Sequence, residues 1–220
     1  MPSAPPPFDA ALARVRRALA ARPRRALAVP SFRPAAVLVP ILDRPAGPTM
    51  LFTRRTELVP HHKGEISFPG GGLEPGEDAV HGALREAEEE VGLLPACVEV
   101  AGLMDDLPSI ARYVVTPVVA AVHDPPDAFL PAAFEVSEPF EVPLAQLLDP
   151  AIRRASLWDP ARLPAEAAAA LRAARGMELE EIDPATGHLR VWSFDAGPGR
   201  TVWGLTARIL AELVDRAFAE

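Results

Sequence analysis

The chain has 220 residues, 49% hydrophobic and 24% charged, enough for one sizeable cored domain and too apolar for gross disorder. A net charge of −8 argues against a protein that binds nucleic-acid backbones. The single cysteine, Cys97, excludes a disulfide framework and any multi-cysteine metal site. Residues 1–41 hold seven arginines against one acid, Asp9, so the excess negative charge lies further along the chain.

The first predicted element is a helix within "FDAALARVRRALA", where Phe8, Leu12, Val15 and Leu19 mark one face. Its Arg- and Ala-rich composition resembles a targeting presequence, but the serine richness is missing, so a basic helix over 1–34 packed on a domain spanning 35–220 is expected. "AAVLVPIL" (35–42) and "TMLFTRR" (49–55) read as strands around the turn "DRPAGP". "HHKGEISFPGGGLEPGED" (61–78) is too rich in Gly and Pro for a long element, with "EISF" able to pair briefly. "DAVHGALREAEEEVGL" (78–93) reads as a helix whose buried stripe is Val80, Leu84, Ala87 and Val91, opened by Asp78 and stopped by Gly92.

"CVEVAGLM" (97–104) and "YVVTPVVAAV" (113–122) follow as strands, the second apolar enough to be buried on both faces. Cys97 is expected as a core thiol, a usage that fits a cytoplasmic setting. "PFEVPLAQLLD" (139–149) reads as a strand entering a helical turn. An Ala-rich helix is expected over 164–174, then strands near "MELEEID" and "LRVWSF", and a closing amphipathic helix over 206–219. There is no secretory apolar core and no run of 18 apolar residues, so neither export nor a membrane span is expected. The alternation implies an α/β sandwich with helices on both sheet faces.

"REAEEEVG" (85–92) concentrates four carboxylates on the predicted helix. About the helix axis Glu86, Glu89 and Glu90 point broadly together, Glu88 points away, and Arg85 lies one turn before Glu89. The upstream Gly70, Gly71 and Gly72 leave no side chain to block a close approach, and Glu77 can fold back on the cluster. Clustered hard oxygens suit Mg²⁺ or Mn²⁺, and the matching chemistry is attack of water on a phosphorus centre with a carboxylate taking the proton.

These residues resemble the Nudix box, G-x5-E-x7-R-E-U-x-E-E-x-G-U with U aliphatic. It reads here as Gly71, Glu77, Arg85, Glu86, Ala87, Glu89, Glu90, Gly92 and Leu93. The resemblance implies the Nudix fold, an α/β/α sandwich with a mixed sheet, and hydrolysis of a nucleoside diphosphate linked to another moiety. It implies Glu86 and Glu90 as principal metal ligands and Glu89 as a ligand or water-orienting group. Arg85 and Glu77 would support them, with Gly71 in the metal-side loop. Upstream, "LFTRRTELVPHHKGEISFPGG" (51–71) resembles the motif of coenzyme A pyrophosphatases at Leu51, Thr53, Arg55, Gly64, Phe68, Pro69, Gly70 and Gly71. Thr56 replaces a small residue and Pro60 an arginine. Arg54, Arg55, His62 and Lys63 are the expected contacts to the anionic substrate. A Nudix hydrolase of ADP-ribose or NADH, or a non-catalytic nucleotide sensor on the same scaffold, remain alternatives.

Other residues are left open by the sequence. Asp105 and Asp106 are a late metal ligand or base, or else a turn. Trp192 and Trp203 stack an adenine or fill a core. Glu135, Glu138 and Glu141 join Glu89 as possible bases.

Overall fold

The computed structural model describes residues 6–56, 64–163, 183 and 185–219. The expected Ala-rich helix (164–174) and all but the last residue of "MELEEID" fall outside them. In chain order the elements are α1 (Phe8–Ala20), β1 (Arg33–Leu42), β2 (Thr49–Arg55), β3 (Ile66–Ser67), β4 (Gly70–Gly72), α2 (Ala79–Val91), β5 (Val98–Leu103), β6 (Leu107–Pro108) and β7 (Tyr113–Val122). β8 (Val136–Pro143), α3 (Leu144–Leu147), β9 (Arg153–Trp158), β10 (Leu189–Asp195), β11 (Thr201–Trp203) and α4 (Gly204–Ala217) complete the set.

The main sheet runs β3-β2-β1-β7-β5, with β4 also on β1, β6 on β7 and β8 on β2. β1 and β7 pair in parallel over their whole length, Arg33 opposite Tyr113 to Leu42 opposite Val122, and the other pairings are antiparallel. The sheet is therefore mixed. Its central strands are those with near-continuous apolar runs, because side chains on both of their faces leave water.

One face packs on α2, burying Ala83, Ala87 and Val91 of the helix among Ala36, Leu38, Leu51, Val118 and Ala120. The other packs on α1 and α4, and Phe8, Ala11, Leu12 and Val15 belong to the same cluster as Val39, Phe52, Phe140 and Leu210. The result is an α/β/α sandwich with a mixed sheet, and α1 contributes to its core. Cys97 sits half-buried at the end of a short 3₁₀ turn rather than inside a strand. A second, three-stranded antiparallel sheet, β11-β10-β9, was not foreseen as such. β9 is "RRASLW", mostly exposed and without apolar alternation, so periodicity could not reveal it.

Asp105 and Asp106 resolve as structural anchors. Both are buried. Asp105 accepts from Arg22 (2.9 and 2.5 Å), from the backbone N–H and Nε of Arg25, and from Arg216 of α4 (2.8 Å). Asp106 accepts from Arg24, Thr116 and the Leu27 N–H. Burial alone would raise the Asp105 pKa, but these donors hold it well below the usual carboxylate range. The arginine-rich segment after α1 is thus tied to the β5–β6 turn. No helix among the described residues is long and apolar enough to cross a membrane.

Candidate active site

The site is built on α2. Asp78 caps it, its Oδ1 accepting from the Val80 and His81 N–H groups at 2.9 Å, a contribution of about 1 kcal/mol. Gly92 ends it at φ 70°, a left-handed conformation that a side chain would disfavour, and its N–H returns to the Glu88 carbonyl. These local signals fix the helix register and therefore which side chains face the sheet.

Glu90 is turned inward, its side chain 4% exposed. The Gly70 N–H donates to its Oε2 at 3.2 Å, and Arg55 Nη1 stands 3.9 Å from Oε1. Burial is the main cause that pushes its pKa up, to about 8. The Gly70 and Arg55 groups oppose that rise, and the charges of Glu86 and Glu135 add to it. Glu90 also lies in the last turn of α2, where the helix dipole disfavours a negative charge. Glu86, 16% exposed, is likewise raised by burial, with Arg85 opposing.

Glu86 lies directly against the glycine strand. A Cβ on Gly71 would sit 2.5 Å from the Glu86 carboxylate, so only glycine leaves room for that side chain. Gly70, at φ 155°, is equally restricted: a Cβ there would lie 2.4 Å from the Ala36 carbonyl oxygen. Phe68 secures this segment from below, its ring stacked on Phe52 at 4.8 Å.

Arg85 braces the cluster. Its guanidinium donates to Glu77 Oε1 (2.9 Å) and Oε2 (3.1 Å), Glu86 Oε1 (3.0 Å), Glu89 Oε2 (3.1 Å) and the Gly72 carbonyl (3.1 Å). The hydrogen bonds from Arg85 hold the Glu77 carboxyl below its ordinary range.

Several expectations are sharpened by the geometry. Glu89 does not join the inward pair: its side chain is 60% exposed and tied back to Arg85. It lies round the helix from Glu86 on the side away from Glu90, open to solvent among the described residues. Glu88 is exposed, as the helix geometry required. Arg54 and Arg55 alternate along β2 and point to opposite faces. Arg55 faces Glu90, whereas Arg54 donates to the Gly199 carbonyl and pairs with Glu138, away from the carboxylate cluster. His62, Lys63 and Pro60 lie outside the described residues. Trp192 lies under the Arg153 guanidinium (4.1 Å) and Trp203 stacks on Trp158 (6.1 Å), both on the small sheet.

The three loop acids also separate. Glu141 is held by Arg44 and Thr49, and Glu138 by Arg200 and Arg54. Glu135 lies near enough to the cluster for its charge to add to the rise at both Glu86 and Glu90. The loop that carries it is laced to α2: the Leu130 N–H donates to the Val91 carbonyl, and the Ala132 N–H to that of Glu90.

The donor set suits a hard divalent cation. A buried carboxylate that burial drives toward neutrality, beside a second one cradled by glycine, is relieved by positive charge between them. Among the described residues no three acidic or histidine side chains already converge as a metal cage. Mg²⁺ is commonly bound by one or two carboxylates, with water and substrate oxygens completing its shell, so Glu86 and Glu90 fit it without a third.

A mixed-sheet sandwich presenting glutamates against a glycine strand, braced by one arginine, defines a class of phosphate-handling site. The NUDIX domain family matches residues 32–175, and the chain belongs to the Nudix family. It is 46% identical over 118 residues to the uncharacterized Nudix hydrolase NudL of Escherichia coli K12, covering 53% of this chain and 60% of that protein. Among solved structures, a Caenorhabditis elegans Ap4A hydrolase complex is similar at a TM-score of 0.44 and 23% identity, covering 50% of this chain and 80% of the other. The NUDIX domain of Shewanella oneidensis NrtR complexed with ADP ribose is similar at 0.42 and 21%, covering 53% and 76%. The chain spans about 60% of the length of the curated relatives it matches.

Proposed function

We propose that the chain is a Mg²⁺- or Mn²⁺-dependent Nudix hydrolase. It cleaves the diphosphate of coenzyme A or a derivative to adenosine 3′,5′-bisphosphate and 4′-phosphopantetheine or its acylated form. The observation that carries the reading is the buried Glu90 carboxylate beside Glu86, held against Gly70 and Gly71. A divalent cation held by Glu86 and Glu90 supplies neutralisation of the diphosphate and acidification of an attacking water.

The chain's own residues do the rest. Arg85 fixes the carboxylate of Glu86 and, through Glu77 and the Gly72 carbonyl, the glycine strand opposite it. Glu135 accepts the proton of the water, because its charge reaches both Glu86 and Glu90, whereas Glu138 and Glu141 are engaged by arginines. Glu89 keeps Arg85 in place. Arg55 holds a phosphate oxygen: its guanidinium is already beside Glu90, and its buried Nε has no hydrogen-bond partner among the described residues. No covalent enzyme intermediate is needed.

Coenzyme A is favoured as substrate by the upstream motif, whose residues Leu51, Thr53 and Arg55 run along β2, with Phe68 just before β4 and Gly70 and Gly71 on it. Pro60, standing where that motif has an arginine, favours a second reading in which ADP-ribose or NADH is cleaved by the same machinery. A panel of coenzyme A, acetyl-coenzyme A, ADP-ribose and NADH, each with Mn²⁺ and analysed chromatographically, separates the two. Fast turnover of ADP-ribose beside inert coenzyme A rejects the first.

A further inference from the structure

We infer that the ring of Phe134 is the stacking platform for the planar base of the substrate's nucleotide half. The inference rests on the proposed reading of the site as one that holds a nucleoside diphosphate. Phe134 is 81% exposed, the most exposed of the large apolar side chains among the described residues. Single exposed apolar residues are ordinary on protein surfaces, so exposure alone argues nothing. Its setting does.

The backbone beneath the ring is fixed from both sides of the site. The buried Thr56 hydroxyl donates to the Phe134 carbonyl at 2.7 Å, and the Thr56 N–H donates to the Glu135 carbonyl at 2.9 Å. Thr56 directly follows Arg55, whose guanidinium faces Glu90. The Glu135 and Val136 N–H groups close on the Ala132 carbonyl, and the Ala132 N–H donates to the Glu90 carbonyl at 2.9 Å. Phe134 is therefore held between the strand that carries Arg55 and the helix that carries Glu90. It stands one residue from Glu135, whose charge reaches Glu86 and Glu90.

An aromatic face kept open to solvent on a pinned backbone loses little conformational freedom when a second ring is laid on it. Base–aromatic stacking is tolerant of which base arrives. A nucleotide whose diphosphate lies at Glu86 and Glu90 places its base about one ribose away, and Phe134 stands two residues, about 7 Å of chain, from the Ala132 N–H that bonds the Glu90 carbonyl. Leu130, the other strongly exposed apolar residue of this loop, is turned toward the cap of α2, where it packs over Gly92. Of the two strongly exposed apolar side chains of this loop, Phe134 is the one with a planar face.

The test uses the whole chain, with Phe134→Ala and Phe134→Trp variants, and reads binding as well as turnover. ADP in the presence of Mg²⁺ is the nucleotide probe, and inorganic pyrophosphate is the probe without a base. Phe134→Ala is expected to weaken ADP about 5- to 150-fold while binding pyrophosphate as wild type does. Phe134→Trp is expected to bind ADP at least as well as wild type, with a quenching of its fluorescence that the wild-type chain does not show. With any diphosphate the enzyme cleaves, Phe134→Ala raises KM by a similar factor and leaves kcat within about threefold. ADP affinity unchanged in Phe134→Ala overturns the inference. So does an equal loss for ADP and pyrophosphate, which would mark a residue that merely shapes the loop. Should the wild-type chain cleave none of the panel and still lose ADP affinity in Phe134→Ala, the hydrolase reading falls and the stacking platform stands.

Discussion

Replacing Glu90 with glutamine preserves the side chain's shape and its acceptor for the Gly70 N–H, and removes only the charge. An ordinary glutamate titrates near 4.5, whereas burial pushes Glu90 up to about 8. Between those values the unfolded chain has lost the proton and the folded chain still holds it, so stability falls as pH rises. At about 1.4 kcal/mol per unit of pKa, the penalty on the metal-free fold reaches about 3 kcal/mol at pH 7 and exceeds about 4 kcal/mol above pH 8. Glutamine has no such penalty. In a chelator at pH 7, Glu90→Gln is therefore expected to be the more stable protein, by about 3 kcal/mol or about 6–12 °C in Tm. The difference should close as the pH approaches 4. Thermal and denaturant melts across pH 4–9 measure it. Mg²⁺ should close and then reverse the gap: a hundredfold excess over Kd adds about 2.7 kcal/mol to the wild type and little to the variant, and a thousandfold excess, about 4.1 kcal/mol, puts the wild type ahead. A wild type no less stable than Glu90→Gln in chelator at pH 7, or with no slope between pH 5 and 8, would refute the reasoning.

Three further outcomes follow from the geometry. Gly71→Ala drives a methyl into the Glu86 carboxylate, the movable end of a side chain; the fold should survive, seen by circular dichroism, while Mg²⁺-induced stabilisation and activity are lost. Arg85→Lys replaces a fork that reaches three glutamates and the Gly72 carbonyl with a point charge. It is expected to lower kcat/KM or metal affinity about 10- to 100-fold, measured by steady-state kinetics and titration calorimetry. Asp105→Asn removes the counter-charge that Arg22, Arg25 and Arg216 share; because those guanidiniums are partly solvated, denaturant melts at pH 7 should show a loss of about 1.5–3 kcal/mol. Because the folded pKa of Asp105 is depressed, that wild-type advantage is fully present above the ordinary aspartate pKa of 3.8 and fades as the pH falls below it.

What the sequence made legible was local. The helix α2, its Asp78 cap, its Gly92 stop and the reach of Arg85 to Glu89 all follow from spacing and side-chain chemistry within one element. The glycine run could be read as a place of close approach before Glu86 was seen against Gly71. What stayed hidden depended on neighbours distant in sequence. Glu89 and Glu90 both lie near Glu86 on a helical wheel, and only the strand carrying Gly70 on one side decides that Glu90 is buried and Glu89 is not. Alternation along β2 guaranteed that Arg54 and Arg55 part company. Which of them meets α2 depended on where β2 pairs, between β1 and β8. Asp105 and Asp106 had no legible role because their arginines lie about eighty residues earlier, and in α4. Glu135 and Phe134 sit in a loop with no periodicity, where the only sequence signal was an acid among several.

The most direct test of the account is product analysis of coenzyme A incubated with the purified chain and Mn²⁺, alongside a chelated control and Glu90→Gln. The account predicts equal amounts of adenosine 3′,5′-bisphosphate and 4′-phosphopantetheine from the wild type, none with chelator, and a rate lower by orders of magnitude in the variant. Wild-type rates that persist in Glu90→Gln, or coenzyme A left intact by the metal-loaded wild type, would contradict it.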